Sequence, residues 1–231
     1  MKKIDTNFSA PPQDKLNSLI KYYQTKKYAE AEKLSLSITE EFPEHQLTWK
    51  ILAVIYLQTG KIGESLVAIK KSIILEPQDS EAHYNLGVTL EKLERLEEAE
   101  VSYRQAITLK LDYADAHYNL GNILKKLGKL EEAEVSYRQV IRLKPDYANA
   151  YSNLGNVLEH LSRSNEAEAS YRKAITLKPD YAVTHNNLGN LLQKLGRLEE
   201  AEVSYRQAIT LKPRLAKVHY NLGNNMYQKG D

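Results

Sequence analysis

The chain has 231 residues, 32 Lys and Arg against 30 Asp and Glu, a net charge of +2 and no cysteine. The missing cysteines exclude thiol nucleophiles, disulfides and cysteine zinc sites, and a pI of about 8.4 with Lys and Arg interleaved among Glu lacks the clustered basic face of a nucleic-acid binder. No run approaches the roughly 18 apolar residues of a membrane span, and Lys2 and Lys3 are followed by Ile-Asp-Thr-Asn and not by an apolar leader core, so a cytoplasmic location is expected.

Residues 1–11 read as a short disordered tail. From there on the chain repeats itself: EEAEVSYRQAITLK stands at Glu97–Lys110 and again at Glu199–Lys212, with a near copy starting at Glu131, on a 34-residue period. A fixed period of this size marks a stacked array in which each unit packs only on its neighbours. With Gly87, Gly121, Gly155, Gly189 and Gly223 placed at position 8, the units run 12–45 (degenerate), 46–79, 80–113, 114–147, 148–181 and 182–215, followed by a half unit or capping helix at 216–231. Each unit reads as two helices. In the third, Ala82, Tyr84, Leu86, Gly87 and Leu90 give helix A its helical periodicity, and Leu96, Ala99, Tyr103, Ala106, Ile107 and Leu109 give helix B its own.

A glycine inside a helix costs about 1 kcal/mol against alanine, so its return at position 8 asks for a close contact. The expected partners are Ala99, Ala133, Ala167 and Ala201 at position 20, while Tyr103, Tyr137, Tyr171 and Tyr205 at position 24 are expected to fill the gap to the next unit. Glu100–Arg104, Glu134–Arg138, Glu168–Arg172 and Glu202–Arg206 are i,i+4 pairs in the favourable order, which support a solvated helix and imply no site. Three departures stand out. Leu111 replaces the helix-stopping proline, so helix B of the third unit is expected to run on. Glu94 and Ser162 replace the turn glycine. Ser164 replaces a leucine, making the fifth unit the expected weak joint.

Gly at 8, Ala at 20, an aromatic at 24, Ala at 27 and Pro at 32 in a 34-residue unit resemble the tetratricopeptide repeat, with Trp49, Leu52 and Tyr56 supplying further family positions. The match is strong over 46–231 and weaker over 12–45, where Leu19 stands in place of the glycine. The resemblance implies an all-α fold: an α-solenoid of about thirteen helices, a right-handed superhelix with helix A lining the concave side. Phrases such as LKPDYANAYSNLGNVL are also similar in style to the repeat superhelix of O-linked N-acetylglucosamine transferase, where an asparagine ladder lines the substrate groove.

By that analogy positions 2, 5, 6, 9, 12 and 13 face the groove. Position 6 holds Asn85, Asn119, Asn153, Asn187 and Asn221, and position 9 holds Asn122, Asn156, Asn190 and Asn224. A carboxamide carries a donor and an acceptor, as a peptide group does. Rungs about 8–10 Å apart would meet an extended peptide about every third residue, and five rungs would follow on the order of a dozen. Tyr84 and Tyr118, with Tyr220, offer aromatic surface at position 5. Asparagine is also common at positions 6 and 9 in the family, and duplication copies it whatever its use. The chaperone-tail clamp of the family needs Lys at position 5, which is not expected in any strongly matching unit, so that clamp is not expected.

His83, His117, His185 and His219 recur at position 4, the family's Trp position, spaced too far apart to converge on one metal ion. Ser102, Ser136, Ser170 and Ser204 recur without a matched His, and no Gly-rich phosphate loop or desolvated carboxylate pair is apparent. No catalysis, metal or cofactor is therefore expected. The first functional expectation is a scaffold that binds an extended protein or peptide segment in its groove. The alternatives are a substrate-recognition module serving a glycosyltransferase or other transferase whose catalytic domain is absent from this chain, and a self-assembling array joined through Leu222, Met226 and Tyr227 at the C-terminal end. An RNA-reading helical repeat is the nucleic-acid rival, disfavoured by the balanced charge, and no nucleic-acid or membrane partner is expected.

Overall fold

A computed structural model describes residues 10–230; the tail expected over 1–11 lies outside the described residues except for Ala10 and Pro11. The described residues form thirteen helices: α1 Gln13–Gln24, α2 Tyr28–Glu41, α3 Gln46–Gln58, α4 Ile62–Leu75, α5 Ser80–Lys92, α6 Leu96–Leu109, α7 Ala114–Lys126, α8 Leu130–Leu143, α9 Ala148–His160, α10 Ser164–Leu177, α11 Ala182–Lys194, α12 Leu198–Leu211 and α13 Ala216–Lys229. No strand occurs among them. The fold is an all-α stack of helical hairpins in which odd-numbered helices are the A helices and even-numbered ones the B helices. The chain divides into two compact units, one ending at Ala116 and the other beginning at His117. In the first, α1 to α6 pack in sequence order; in the second, α8 to α13 do.

Position 8 shows why the hairpins close so tightly. A Cβ built on Gly87, Gly121, Gly155 or Gly189 would lie 2.5–2.8 Å from a ring carbon of Tyr103, Tyr137, Tyr171 or Tyr205. These tyrosines are fully buried. The glycine therefore makes room for the tyrosine of its own unit. This corrects the sequence expectation twice: the alanines at position 20 are buried but are not what the glycine faces, and the tyrosine packs back on its own helix A instead of serving only the gap to the next unit. A flat aromatic ring laid on a bare helix backbone buries far more apolar surface than an Ala–Gly contact. The two earliest hairpins keep the volume with other residues. The second unit has buried Ala53 at position 8 and Ile69 at position 24, and the first has buried Leu19 and Ser35. As the helix-A residue grows, the helix-B residue shrinks, which conserves the volume a close-packed contact requires.

The helix ends are set by docking as much as by local sequence. Helix α6 stops at Leu109, at the same position as α8, α10 and α12, so it does not run on despite Leu111. Lys110 adopts the extended conformation of its counterparts Lys144, Lys178 and Lys212, and its N–H caps the Ala106 carbonyl as theirs cap the equivalent carbonyls. The A-to-B turn needs a left-handed residue. Glu94 (φ +58°) and Ser162 (φ +59°) hold that conformation where Gly60, Gly128 and Gly196 hold it elsewhere. A side chain there costs roughly 1–2 kcal/mol, so both turns carry strain that the packed helices on either side impose.

Candidate functional site

The helix-A asparagines are held in a bonded chain anchored on the buried tyrosines. In the second unit the Tyr137, Tyr171 and Tyr205 hydroxyls donate to the Oδ1 atoms of Asn122, Asn156 and Asn190, at 2.8, 2.8 and 2.9 Å. Each of those oxygens also accepts from the position-6 amide of the following hairpin: Asn153 Nδ2 at 3.0 Å, Asn187 Nδ2 at 2.9 Å and Asn221 Nδ2 at 2.8 Å. Positions 24, 9 and 6 thus form a relay that repeats at each step. In the third repeat, where position 9 is Val88, the Tyr103 hydroxyl donates to Glu91 at 3.3 Å, as the Tyr171 hydroxyl also does to Glu159 at 3.1 Å. Burial pushes the Tyr137 and Tyr171 phenols well above the ordinary tyrosine range and the Tyr205 phenol up to about 12, so all three are neutral donors at physiological pH.

The relay orients the asparagines without exhausting them. Asn122, Asn156 and Asn190 each spend Oδ1 on two donors and keep the Nδ2 group; Asn187 spends Nδ2 on Asn156. Asn85 is nearly buried. On α9, α11 and α13, Asn190, Asn221 and Asn224 line a cavity of about 500 Å³ together with Gln193 and the Glu159–Lys194 ion pair. These are positions 6, 9, 12 and 13, the set that sequence analogy turned toward the groove. Position 5 behaves differently. Tyr84 packs on Tyr103 and Tyr113, with ring centroids 5.8 and 5.0 Å apart, and Tyr118 packs on Tyr137 and Tyr147 at 6.0 and 5.1 Å. These rings form part of the wall.

Lys50 stands at position 5 of the second repeat, which corrects the expectation that no strongly matching unit carries lysine there. Its ammonium is bonded to Asp79 at 2.9 Å and Glu81 at 2.8 Å. Burial opposes ionisation of Asp79, but the Lys50 and backbone donors outweigh it and hold the carboxyl below its usual range. Asp79 also caps α5 by accepting from the Glu81 and Ala82 amides. A lysine held this way is already neutralised and anchors the hairpin.

The position-4 column clamps one hairpin to the next. The ring Nε2 of His83, His185 and His219 lies 3.0, 2.9 and 2.8 Å from the carbonyl oxygens of Pro77, Pro179 and Pro213. Trp49 donates to the Pro43 carbonyl at 2.8 Å. A carbonyl only accepts, so the histidine carries its proton on Nε2 and does the work of the indole. Among the described residues no group of His, Asp and Glu is arranged to hold a metal ion. The position-23 hydroxyls of Ser102, Ser136, Ser170 and Ser204 are spent on carbonyls one turn back.

On helix B the sequence-predicted Glu–Arg pairs form, and two of them join larger rings that the i,i+4 rule does not reveal. Arg138 bonds Glu134 and Glu166, and Arg163 bonds the same two carboxylates, with N–O distances of 2.6–3.0 Å. Arg172, Glu168, Arg197 and Glu200 repeat this one step later. The Arg197 and Arg172 guanidiniums hold the Glu168 carboxyl below its usual range. The two rings tie α8 to α10 and α10 to α12.

Models of the tetratricopeptide repeat match residues 91–128, 121–162 and 146–214, and a further one matches 68–101. The matches run without a gap from 68 to 214, more than half of the chain. The chain belongs to the tetratricopeptide repeat family. No curated protein matches it. Among solved structures, this tetratricopeptide repeat protein is similar to YrrB, described as a TPR protein with an unusual peptide-binding site, with a TM-score of 0.71 and 20% identity over 80% of this chain and 96% of YrrB. It is similar to MamA with a TM-score of 0.66 and 25% identity over 69% of this chain and 93% of MamA. It is also similar to pilF of Pseudomonas aeruginosa, with a TM-score of 0.64 and 22% identity over 79% and 89% of the two chains. At such identities the likeness is one of fold. Among the described residues no helix is long and apolar enough to cross a membrane.

Proposed function

We propose that this protein is a non-catalytic interaction scaffold that holds an extended peptide segment of a partner against the asparagine face of its A helices. The observation that carries the reading is the Tyr–Asn–Asn relay. It fixes the carboxamides before any ligand arrives, so a peptide that bonds to their remaining Nδ2 and Oδ1 atoms meets side chains whose rotamer freedom is already spent. Carboxamide rungs read peptide backbone more than side chains, which suits broad recognition. The solved structure of YrrB, a TPR protein described as having a peptide-binding site, gives the reading a precedent in the fold.

The test is selection of random unstructured peptides on the intact protein, followed by calorimetric titration of the winners. Replacing Asn119, Asn153 and Asn187 with Ala should weaken their binding by the sum of the lost bonds, about 0.5–1.5 kcal/mol each, while far-ultraviolet circular dichroism stays unchanged. Equal affinity for both proteins would remove the asparagine face from the binding site.

A second reading, association of copies through α13, is favoured by Tyr220 and Tyr227, which are 69% and 85% exposed on that helix. Large aromatic surface left open on one helix is a common feature of interaction surfaces. Sedimentation velocity across a concentration series checks it: the mass should rise with concentration and stop rising in a Tyr227→Lys variant.

A further inference from the structure

We propose a second binding site, sharing no residue with the asparagine face: a pocket formed by α8, α9 and α10 that takes an acidic peptide segment carrying one leucine-sized apolar residue. The pocket has a volume of about 340 Å³, and Ile141, Leu154 and Tyr151 line it with apolar surface while Arg138, Arg142 and Lys173 stand around it. Arg138 is committed to Glu134 and Glu166. Arg142 and Lys173 have no carboxylate partner among the described residues. Two unpaired cations beside an apolar hollow select a ligand that brings an apolar side chain flanked by carboxylates.

The repeat itself supplies a second, independent argument. Its units are near copies, and α6 and α12 have the same sequence. Four residues of this pocket depart from their sister units. Arg142 stands where Thr108, Thr176 and Thr210 stand in sister units, and those hydroxyls are closed back onto helix carbonyls at 3.0 Å. Lys173 replaces Gln105, Gln139 and Gln207; Lys71, the other lysine at this position, is bonded to Glu44 at 3.1 Å. Tyr151 replaces the clamping histidine, and its ring lines the pocket. Ala169 replaces the valine seen at Val101, Val135 and Val203, which removes two methyl groups from the pocket's edge. Other departures, among them Val88, Leu111 and Ser164, lie elsewhere along the repeats. The four at the pocket meet in one hollow, and together they add two charges, add an aromatic wall and remove bulk.

The sister units also define the test, because every reversion installs a residue that already serves at that position elsewhere in the chain. A dye-labelled peptide, acetyl-Glu-Glu-Leu-Glu-Glu-amide, is titrated against the intact protein by fluorescence anisotropy at low salt. The Arg142→Thr/Lys173→Gln variant should bind it about tenfold more weakly, which is 1.4 kcal/mol. Tyr151→His and a peptide with Gln in place of its leucine should each also weaken binding. The Asn119/Asn153/Asn187→Ala variant should leave this signal unchanged, so this site and the asparagine face fail separately. The proposal is overturned if the reverted and original proteins bind the peptide equally or neither binds it. It is equally overturned if oligouridylate or phosphatidylserine vesicles compete it off at lower concentration. Concentration-dependent dimerisation that reversion abolishes would assign the pocket to a second copy of the chain and overturn it as well.

Discussion

Gly155→Leu is expected to lower the urea-unfolding free energy by about 3 kcal/mol or more, at the upper end of what overpacking costs. The Cβ alone would lie 2.5 Å from Tyr171 Cε1 and 2.6 Å from Cδ1, inside any tolerated carbon–carbon contact, and three more carbons follow it. The ring has nowhere to retreat, because Tyr171 is fully buried and its hydroxyl is held by Asn156 and Glu159. Gly223 occupies the same repeat position in α13, and a Cβ there meets nothing within 4 Å. Gly223→Leu should therefore leave stability unchanged or raise it by up to about 1 kcal/mol, the ordinary gain in helix propensity. The two substitutions are chemically identical, so the difference between them isolates the contact. Adding Tyr171→Ala to Gly155→Leu should cost less than the two single effects summed, since neighbours in contact are not additive. Equal unfolding midpoints for Gly155→Leu and Gly223→Leu would refute the packing account.

The fold should also come apart cooperatively in alkali. Tyr205 titrates at about 12 in the folded chain against 10.0 for a free phenol, and burial pushes Tyr137 and Tyr171 up as well. Between those values the unfolded chain has lost protons that the folded chain keeps, so unfolding stability falls as pH rises. The contribution of the neutral phenols is complete below about pH 10 and is lost as pH passes through about 12. A urea series at pH 8, 10 and 11.5 should show a flat midpoint across the first two and a sharp fall at the third, with tyrosinate absorbance and helix loss rising together. Tyrosinate absorbance from these three, read as the difference from a Tyr137/Tyr171/Tyr205→Phe variant, developing while helicity remains intact would mean that the phenols are not sealed in the folded chain. Each ionised hydroxyl would also stop donating to its asparagine, so the groove relay and the core should fail in the same pH range.

The period, the two-helix unit and the family are legible in the sequence because they depend on short-range periodicity and on local residue chemistry. The i,i+4 pairs form for the same reason. The contacts that skip from helix to helix are another matter. Asparagine at 6 and 9 looks like two open columns in sequence, yet Asn122, Asn156 and Asn190 each accept from a tyrosine and from the position-6 asparagine of the next repeat. One signal was available: position 8 and position 24 trade volume, Gly with Tyr, Ala53 with Ile69, Leu19 with Ser35. Reciprocal size at two positions is the mark of direct contact, and it points to the tyrosine and away from the alanines. Leu111 teaches the opposite lesson. A missing proline suggested a longer helix, and the docked chain ends it at Leu109 all the same.

By itself, then, the sequence determined that the chain is a tetratricopeptide array and which helix faces are apolar, since a 34-residue period and a 3.6-residue one are properties of order along the chain. Only the tertiary structure decided what the repeated polar residues do: that histidine clamps a proline carbonyl, that Lys50 is neutralised by Asp79 and Glu81, and that Arg142 and Lys173 share one pocket. Hydrogen bonds and ion pairs act over about 3 Å, and residues roughly 30 positions apart reach that distance only when one hairpin is stacked on the next.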